Sequence, residues 1–442
     1  MKPEFQNRPV QKLTKPFQRF FHLEASGGIV LLLCTIAALF IANSPYASSY
    51  HSFWNQILSL SIGDSEISYP LWYWVNDGLM VIFLFVIGLE LKRELTTGEL
   101  SEKRKIILPA AAAIGGAIVP AIIFLAFQHG EPAETGWAIP MATDIAFVVG
   151  VLSLLGKRVP HSLKIFLLSI AIVDDLLAVS VIAVFFTETI HWSWFTMSIG
   201  GFGVILLMNK LGIRNIGSYF LVGCAIWLCT LKSGIHPTIA GVVLGLMTPA
   251  TSLLDRKSAK HALELLSLSF SEKEDISLKK TNIDLSTTAQ FTSRESISPL
   301  ERLETALHPW VAFVIMPLFA LANAAVLFDI SSIGTSLSIA VIIGLTIGKP
   351  IGILLLSLIV IRIGWAKLPV NVSWFTMSGA GLLAGIGFTM SLFIASLALE
   401  GRLLEISKGG ILIGSAISML LGFVVLLISL RKNRPKPPIV EH

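Results

Sequence analysis

Charge is what this chain has least of. Of its 442 residues, 14% are Asp, Glu, Lys or Arg and 54% are hydrophobic, with a mean hydropathy of +0.77. A soluble protein carries about 25% charged residues, so a water-soluble globular domain is excluded. Cysteine is scarce as well. Cys34, Cys224 and Cys229 are odd in number and lie in apolar runs, which leaves no disulfide framework and no zinc-type spacing. The period-2 alternation of a membrane barrel is missing too. The net charge of +5 does not imply a nucleic-acid partner, because the basic residues gather at one set of segment ends.

What the chain does have is apolar blocks of membrane-spanning length. Twelve are predicted, at 28–43, 71–92, 106–127, 136–155, 161–186, 193–210, 214–231, 236–250, 304–327, 335–362, 374–398 and 407–430. The fold class expected is an all-α polytopic membrane protein. Basic residues support the even count through the positive-inside rule. Lys2, Arg8, Lys12, Lys15 and Arg19 precede the first block, and the 44–70 connection has no Lys or Arg. Lys92, Arg93, Lys103, Arg104 and Lys105 follow the second block, and residues 128–135 again have none. Both termini are expected in the cytoplasm; Arg402, on the outer side, fits least well. The opening block could pass for a signal peptide but is read as an uncleaved first helix, because the later blocks continue the alternation.

The organisation expected is a cytoplasmic segment 1–27, eight helices over 28–250, a cytoplasmic polar loop 251–303, four helices over 304–430 and a cytoplasmic tail 431–442. The loop is rich in Ser, Lys and Glu and carries eight basic residues from Arg256 to Arg302, so it reads as a linker.

Chemistry enters with AIVDDLLAVS. Asp174 and Asp175 stand in the middle of an apolar run. A charge at the bilayer centre costs about 2.5–3.5 kcal/mol even on lenient scales, and such residues mark ion or proton pathways. A hydrated structural interior is the plainer alternative. Asp77, Glu90, Asp144 and Lys349 complete the ionisable residues within apolar blocks, with His236 at a block start. Adjacent residues point about 100° apart on a helix, so the two aspartates cannot face one partner. One would meet Asp144 at a cation site while the other pairs with Lys349. The fourth and eleventh blocks look interrupted: WAIPMATDIAFVVG holds Pro140, Thr143 and Asp144, and GAGLLAGIGFTMSLF holds Gly379, Gly381, Gly385 and Gly387. Unwound backbone survives at membrane depth only where protein buries it or it lines a cavity, and paired broken helices point to a transport site. For Gly381 and Gly385, close helix packing explains the residues equally well.

Carboxylate and carbonyl oxygens suit a hard alkali cation, and no His or Cys cluster for a transition metal is seen. A buried acidic site holds either such a cation or protons. With alternating exposure to the two sides, that competition is exchange. An intramembrane aspartyl protease built on Asp144 and Asp175 fits tandem aspartates and a mid-membrane lysine poorly. A cation channel would be obstructed by that lysine.

The segments WVNDGLMVIFLFVIGLELKREL, AIPMATDIAFVVGVLSLLGKRVP, LKIFLLSIAIVDDLLAV, SGIHPTIAG, LHPWVAFVIMPLFALANA, GKPIGI and AGIGFTMSLFIA resemble those of the NhaA-type sodium/proton antiporters. The resemblance spans nearly all of the chain except 251–300. It implies inverted repeats, a bacterial inner-membrane location, a homodimer with 44–70 as the candidate contact, and no cofactor beyond the transported Na+, Li+ and H+. It implies Asp175, Asp144 and Thr143 as ion ligands, with Asp174 and Lys349 as a salt bridge engaged in proton exchange. It also implies one Na+ or Li+ exported for two protons, and activation at alkaline pH. Candidate pH-sensing positions are Glu90, Glu94, His236, Glu304, His308 and Asp77, although an ordinary interfacial charge network would place several of them similarly.

Overall fold

The computed structural model describes residues 26–62, 65–98, 101–187, 189–213, 215–252, 295–327 and 333–432. The expected loop over 251–303 falls mostly outside the described residues, as do most of the terminal segments. Helices dominate. Among the described residues, seven helices are long and apolar enough to cross a membrane, or up to nine if each of two bent pairs counts as one span. Length and apolarity alone therefore do not reach twelve, and the class is an α-helical polytopic membrane protein.

In chain order the helices are α1 (Ser26–Ala42), α2 (Ala47–Trp54), α3 (Leu71–Thr96), α4 (Lys103–Gln128), α5 (Ile145–Leu155), α6 (His161–Phe185) and α7 (Trp192–Lys210). They continue as α8 (Ile216–Lys232), α9 (Thr238–Met247), α10 (Pro299–Asn323), α11 (Ser336–Ile363), α12 (Trp374–Ala384), α13 (Phe388–Ala398) and α14 (Gly401–Lys432). The 44–70 connection departs from an all-helical reading. Helix α2 turns 118° from α1, and β1 (Ile57–Ile62) pairs antiparallel with β2 (Ser65–Pro70), Ile57 opposite Pro70. The alternation LSLS within β1 has the strand period and is too short to be a span.

The chain forms two compact units. The first, comprising residues 1–80, 99–188 and 310–442, is built on α4, α6, α11, α12, α13 and α14. Helix α4 crosses α11 where Gly115 and Gly352 meet. A Cβ on Gly352 would lie 2.0 Å from the Gly115 carbonyl oxygen, so the two backbones touch. Small residues permit this approach, and dispersion across the contact replaces the hydrophobic drive that lipid cannot supply. Just before the crossing, α11 widens into a π-turn at Gly344–Gly348, with Gly344 against Pro140 and Gly348 against Pro120 of α4. Lys349 follows directly.

The second unit comprises residues 81–98 and 189–309. Gly241 and Gly245 of α9 lie against α3, their would-be Cβ atoms 2.4 Å from the Val81 carbonyl oxygen and 2.5 Å from that of Phe85. This is a small-xxx-small contact. Ile205, Met208, Ile226 and Ala240 form its apolar centre.

Candidate ion-binding site

The site grows from two breaks. Before α5, residues Glu134–Met141 wind as a 3-10 helix and Ala142–Asp144 are non-helical. Between α12 and α13, Gly385–Gly387 leave the helix and the axis bends by 45°. The breaks lie against each other: the Asp144 amide donates to the Ile386 carbonyl at 2.7 Å, and the Thr143 hydroxyl reaches the Ala384 carbonyl at 3.0 Å. A Cβ on Gly385 would fall 2.3 Å from the Leu345 carbonyl oxygen. That glycine therefore serves close packing and the break together, so the two readings of its sequence position coincide.

Each break exposes helix ends whose partial charges need compensation. Asp144 caps α5, its Oδ1 accepting from the Phe147 amide at 3.2 Å. Its Oδ2 accepts from the Thr389 amide at 3.0 Å and from the Thr389 hydroxyl, in the first turn of α13. One carboxylate thus faces two positive helix ends. Lys349 does the converse, donating through Nζ to the Met141 carbonyl at the end of the 3-10 stretch.

Lys349 also pairs with Asp174, Nζ to Oδ2 at 2.8 Å, with neither side chain exposed. The Thr143 hydroxyl reaches the same Asp174 oxygen at 2.6 Å. Asp174 Oδ1 is buried without a hydrogen-bond partner among the described residues. Asp175, the next residue on α6, is 2% exposed and acts electrostatically on Lys349. Thr143, Asp144, Asp174, Asp175 and Lys349 are thus buried in one unit, and of the two aspartates Asp174 makes the ion pair. Taking two charges out of water costs several kcal/mol per ion, recovered only through close geometry and added hydrogen bonds. Here Thr143 and the Met141 carbonyl supply them.

The remaining candidates divide. In the second unit, Arg93 pairs with Glu304 and lies 3.6 Å from Glu94. Glu90 feels Glu304, Arg93 and Glu94, and His308 acts on Glu304. Those five form one charge network. His236 stands at the break before α9 with its ring nitrogen 3.4 Å from the Thr238 hydroxyl. Asp77 lies in the first unit, in a π-turn of α3 at Trp74–Leu79. Beside it, Asn76 and Asn323 exchange reciprocal amide hydrogen bonds of 3.2 and 2.7 Å.

Sequence reasoning passed over Thr389 and the Asn76–Asn323 pair. Thr389 stands two residues after Gly387 in a run already marked as broken, and a hydroxyl there was the available signal. The asparagines sit in apolar blocks, but nothing local says that they meet 247 residues apart.

The sequence model of the Na+/H+ antiporter 1 family matches residues 18–426. The chain belongs to this family. It is 48% identical over 430 residues to the Na(+)/H(+) antiporter NhaA of Rhodopirellula baltica, covering 97% of each chain. Its identity to the protein of that name from Oleidesulfovibrio alaskensis is 44% over 437 residues, again 97% of each. For the Rhizobium meliloti protein the figure is 45% over 435 residues, 96% of this chain and 97% of the relative.

Proposed function

We propose that this chain exports Na+ or Li+ from the bacterial cytoplasm in exchange for protons, by alternating access and without a bound cofactor. The observation that carries the reading is the buried Asp174–Lys349 pair, 2.8 Å across, on the same α6 turn as Asp175. A fixed internal countercharge leaves Asp175 and Asp144 to meet a cation. Entry of that cation and entry of protons are alternatives, because each cancels the same negative charge. Thr143 ties Asp174 to the break before Asp144, so a change of charge at one carboxylate is felt at the other.

In this reading Asp175 is the principal cation ligand, with Asp144 and the Thr143 segment beside it. Asp174 exchanges protons in concert with Lys349. One Na+ leaves for two entering protons, and the net inward charge lets a 100 mV potential add about 2.3 kcal/mol to each cycle. Twelve spans with both ends cytoplasmic, two of them broken (134–155 and 374–398) and related by an inverted repeat, give the alternating geometry. Basic-residue placement favours that orientation. A homodimer is part of the proposal, as is activation at alkaline pH through the Glu90, Glu94, Glu304 and His308 network, with His236 and Asp77 as further sensing positions.

The test uses everted vesicles with an imposed pH gradient, following dequenching of a ΔpH dye on addition of Na+, Li+ or K+. Na+ and Li+ should dissipate the gradient and K+ should not. Asp174→Asn and Asp175→Asn should each abolish the response. Retained Na+-dependent exchange in Asp175→Asn protein would sink the ligand assignment.

A further inference from the structure

We infer that the Thr389 hydroxyl is a switchable ligand of the transported cation and takes part in setting its selectivity; this rests on the reading of Asp144 as an ion ligand. A carboxylate offers about four lone-pair positions. Asp144 has a donor for each: the Phe147 amide on Oδ1, the Thr389 amide and hydroxyl on Oδ2, and the Ala146 amide, which also acts on the carboxylate. Its side chain is 1% exposed and that of Thr389 is fully buried. A cation reaching Asp144 must therefore displace a donor.

These donors differ in freedom: the Ala146 amide, like that of Phe147, belongs to the first turn of α5. The Phe147 and Thr389 amides are held by the first turns of α5 and α13, and moving either would unwind a helix start. The hydroxyl alone can turn about its C–O bond with the backbone fixed. A threonine hydroxyl in a helix commonly finds an alternative acceptor in a carbonyl three or four residues earlier, here that of Ile386 or Gly385. Rotation of the proton away does two things at once. It uncovers a lone pair on Asp144 Oδ2, and it turns a lone pair of Thr389 Oγ1 toward the same point. The two oxygens, already in contact, then hold a bare alkali cation between them. With no cation, the hydroxyl turns back and satisfies Oδ2. Asp144 Oδ2 keeps a partner in either state, which matters because a buried acceptor left unpaired is costly.

A hydroxyl that only competes for Asp144 makes the opposite prediction from one that ligates. Thr389→Val keeps the side-chain shape and removes the oxygen. If Thr389 ligates, the apparent KM for Na+ should rise about tenfold, the scale of one polar contact to a charge. Thr389→Ser should restore it. Li+, being smaller, fills its shell with fewer oxygens, so its KM should rise less and the Na+/Li+ preference should tilt toward Li+. An Na+ KM that is unchanged or lower in Thr389→Val overturns the inference, as does a fall in maximal rate alone. Thr389→Ala provides the same comparison if the valine variant does not accumulate. Isothermal titration of the purified full-length chain with NaCl gives a binding readout independent of turnover. Asp144→Asn separates the levels. A raised Na+ KM there with a normal one in Thr389→Val removes only this inference, whereas normal values in both remove the reading of Asp144 as a ligand.

Discussion

At the residue scale, the central fact is that a lysine and an aspartate are completely withdrawn from solvent and pair at 2.8 Å. Such pairs contribute little net stability, because desolvation consumes most of the Coulomb gain. Breaking one is another matter. Lys349→Ala would leave Asp174 buried beside Thr143 with no countercharge, and a cost of about 3–5 kcal/mol is expected. Thermal unfolding in detergent should show a clear fall in midpoint; an unchanged midpoint would argue against the pair as a structural tie. Which aspartate takes the lysine could not be read from local sequence. The 100° offset between neighbours said only that the roles differ, and the assignment came by resemblance. The geometry places Asp174, and not Asp175, against Lys349.

At the element scale, backbone contact decides where side chains stand. Gly115 and Gly352 let α4 and α11 touch one turn from Lys349, and the π-turn before it rotates the lysine relative to a regular helix. π-turns recur at functional positions, and here one precedes Lys349 while another contains Asp77. Gly352→Ala should lower the yield of folded protein sharply, since its Cβ would meet a carbonyl oxygen at 2.0 Å. Gly409→Ala in α14 has open space within 4 Å. It should be neutral or stabilise by up to about 1 kcal/mol through helix propensity. Detergent-solubilised yield and unfolding midpoint of the two variants, side by side, check the contrast. Equal behaviour would show that the crossing tolerates separation. The breaks themselves were legible, because proline and glycine in an apolar run are local signals. The π-turns were not, because no residue type requires them.

At the scale of the whole molecule, basic residues collect in one set of connections along the chain. The positive-inside rule would make those connections cytoplasmic, and the 251–303 segment carries eight basic residues of its own. Its position directly before Glu304 raises the question of regulation. Deleting most of 251–300 should leave the pH profile of exchange in place if the segment is a linker. The check is vesicle exchange measured across the neutral to alkaline range, and a displaced profile would give the segment a regulatory part.

Composition and hydropathy by themselves determined the membrane class, the helical architecture and the short inventory of buried ionisable residues, because the cost of charge in hydrocarbon leaves a mark in local sequence. Tertiary structure alone decided three partnerships: Asp144 with Thr389, Asn76 with Asn323, and Arg93 with Glu304. Each joins residues far apart in the chain, and what brings them together is the packing of separate helices and breaks, which no window of sequence contains.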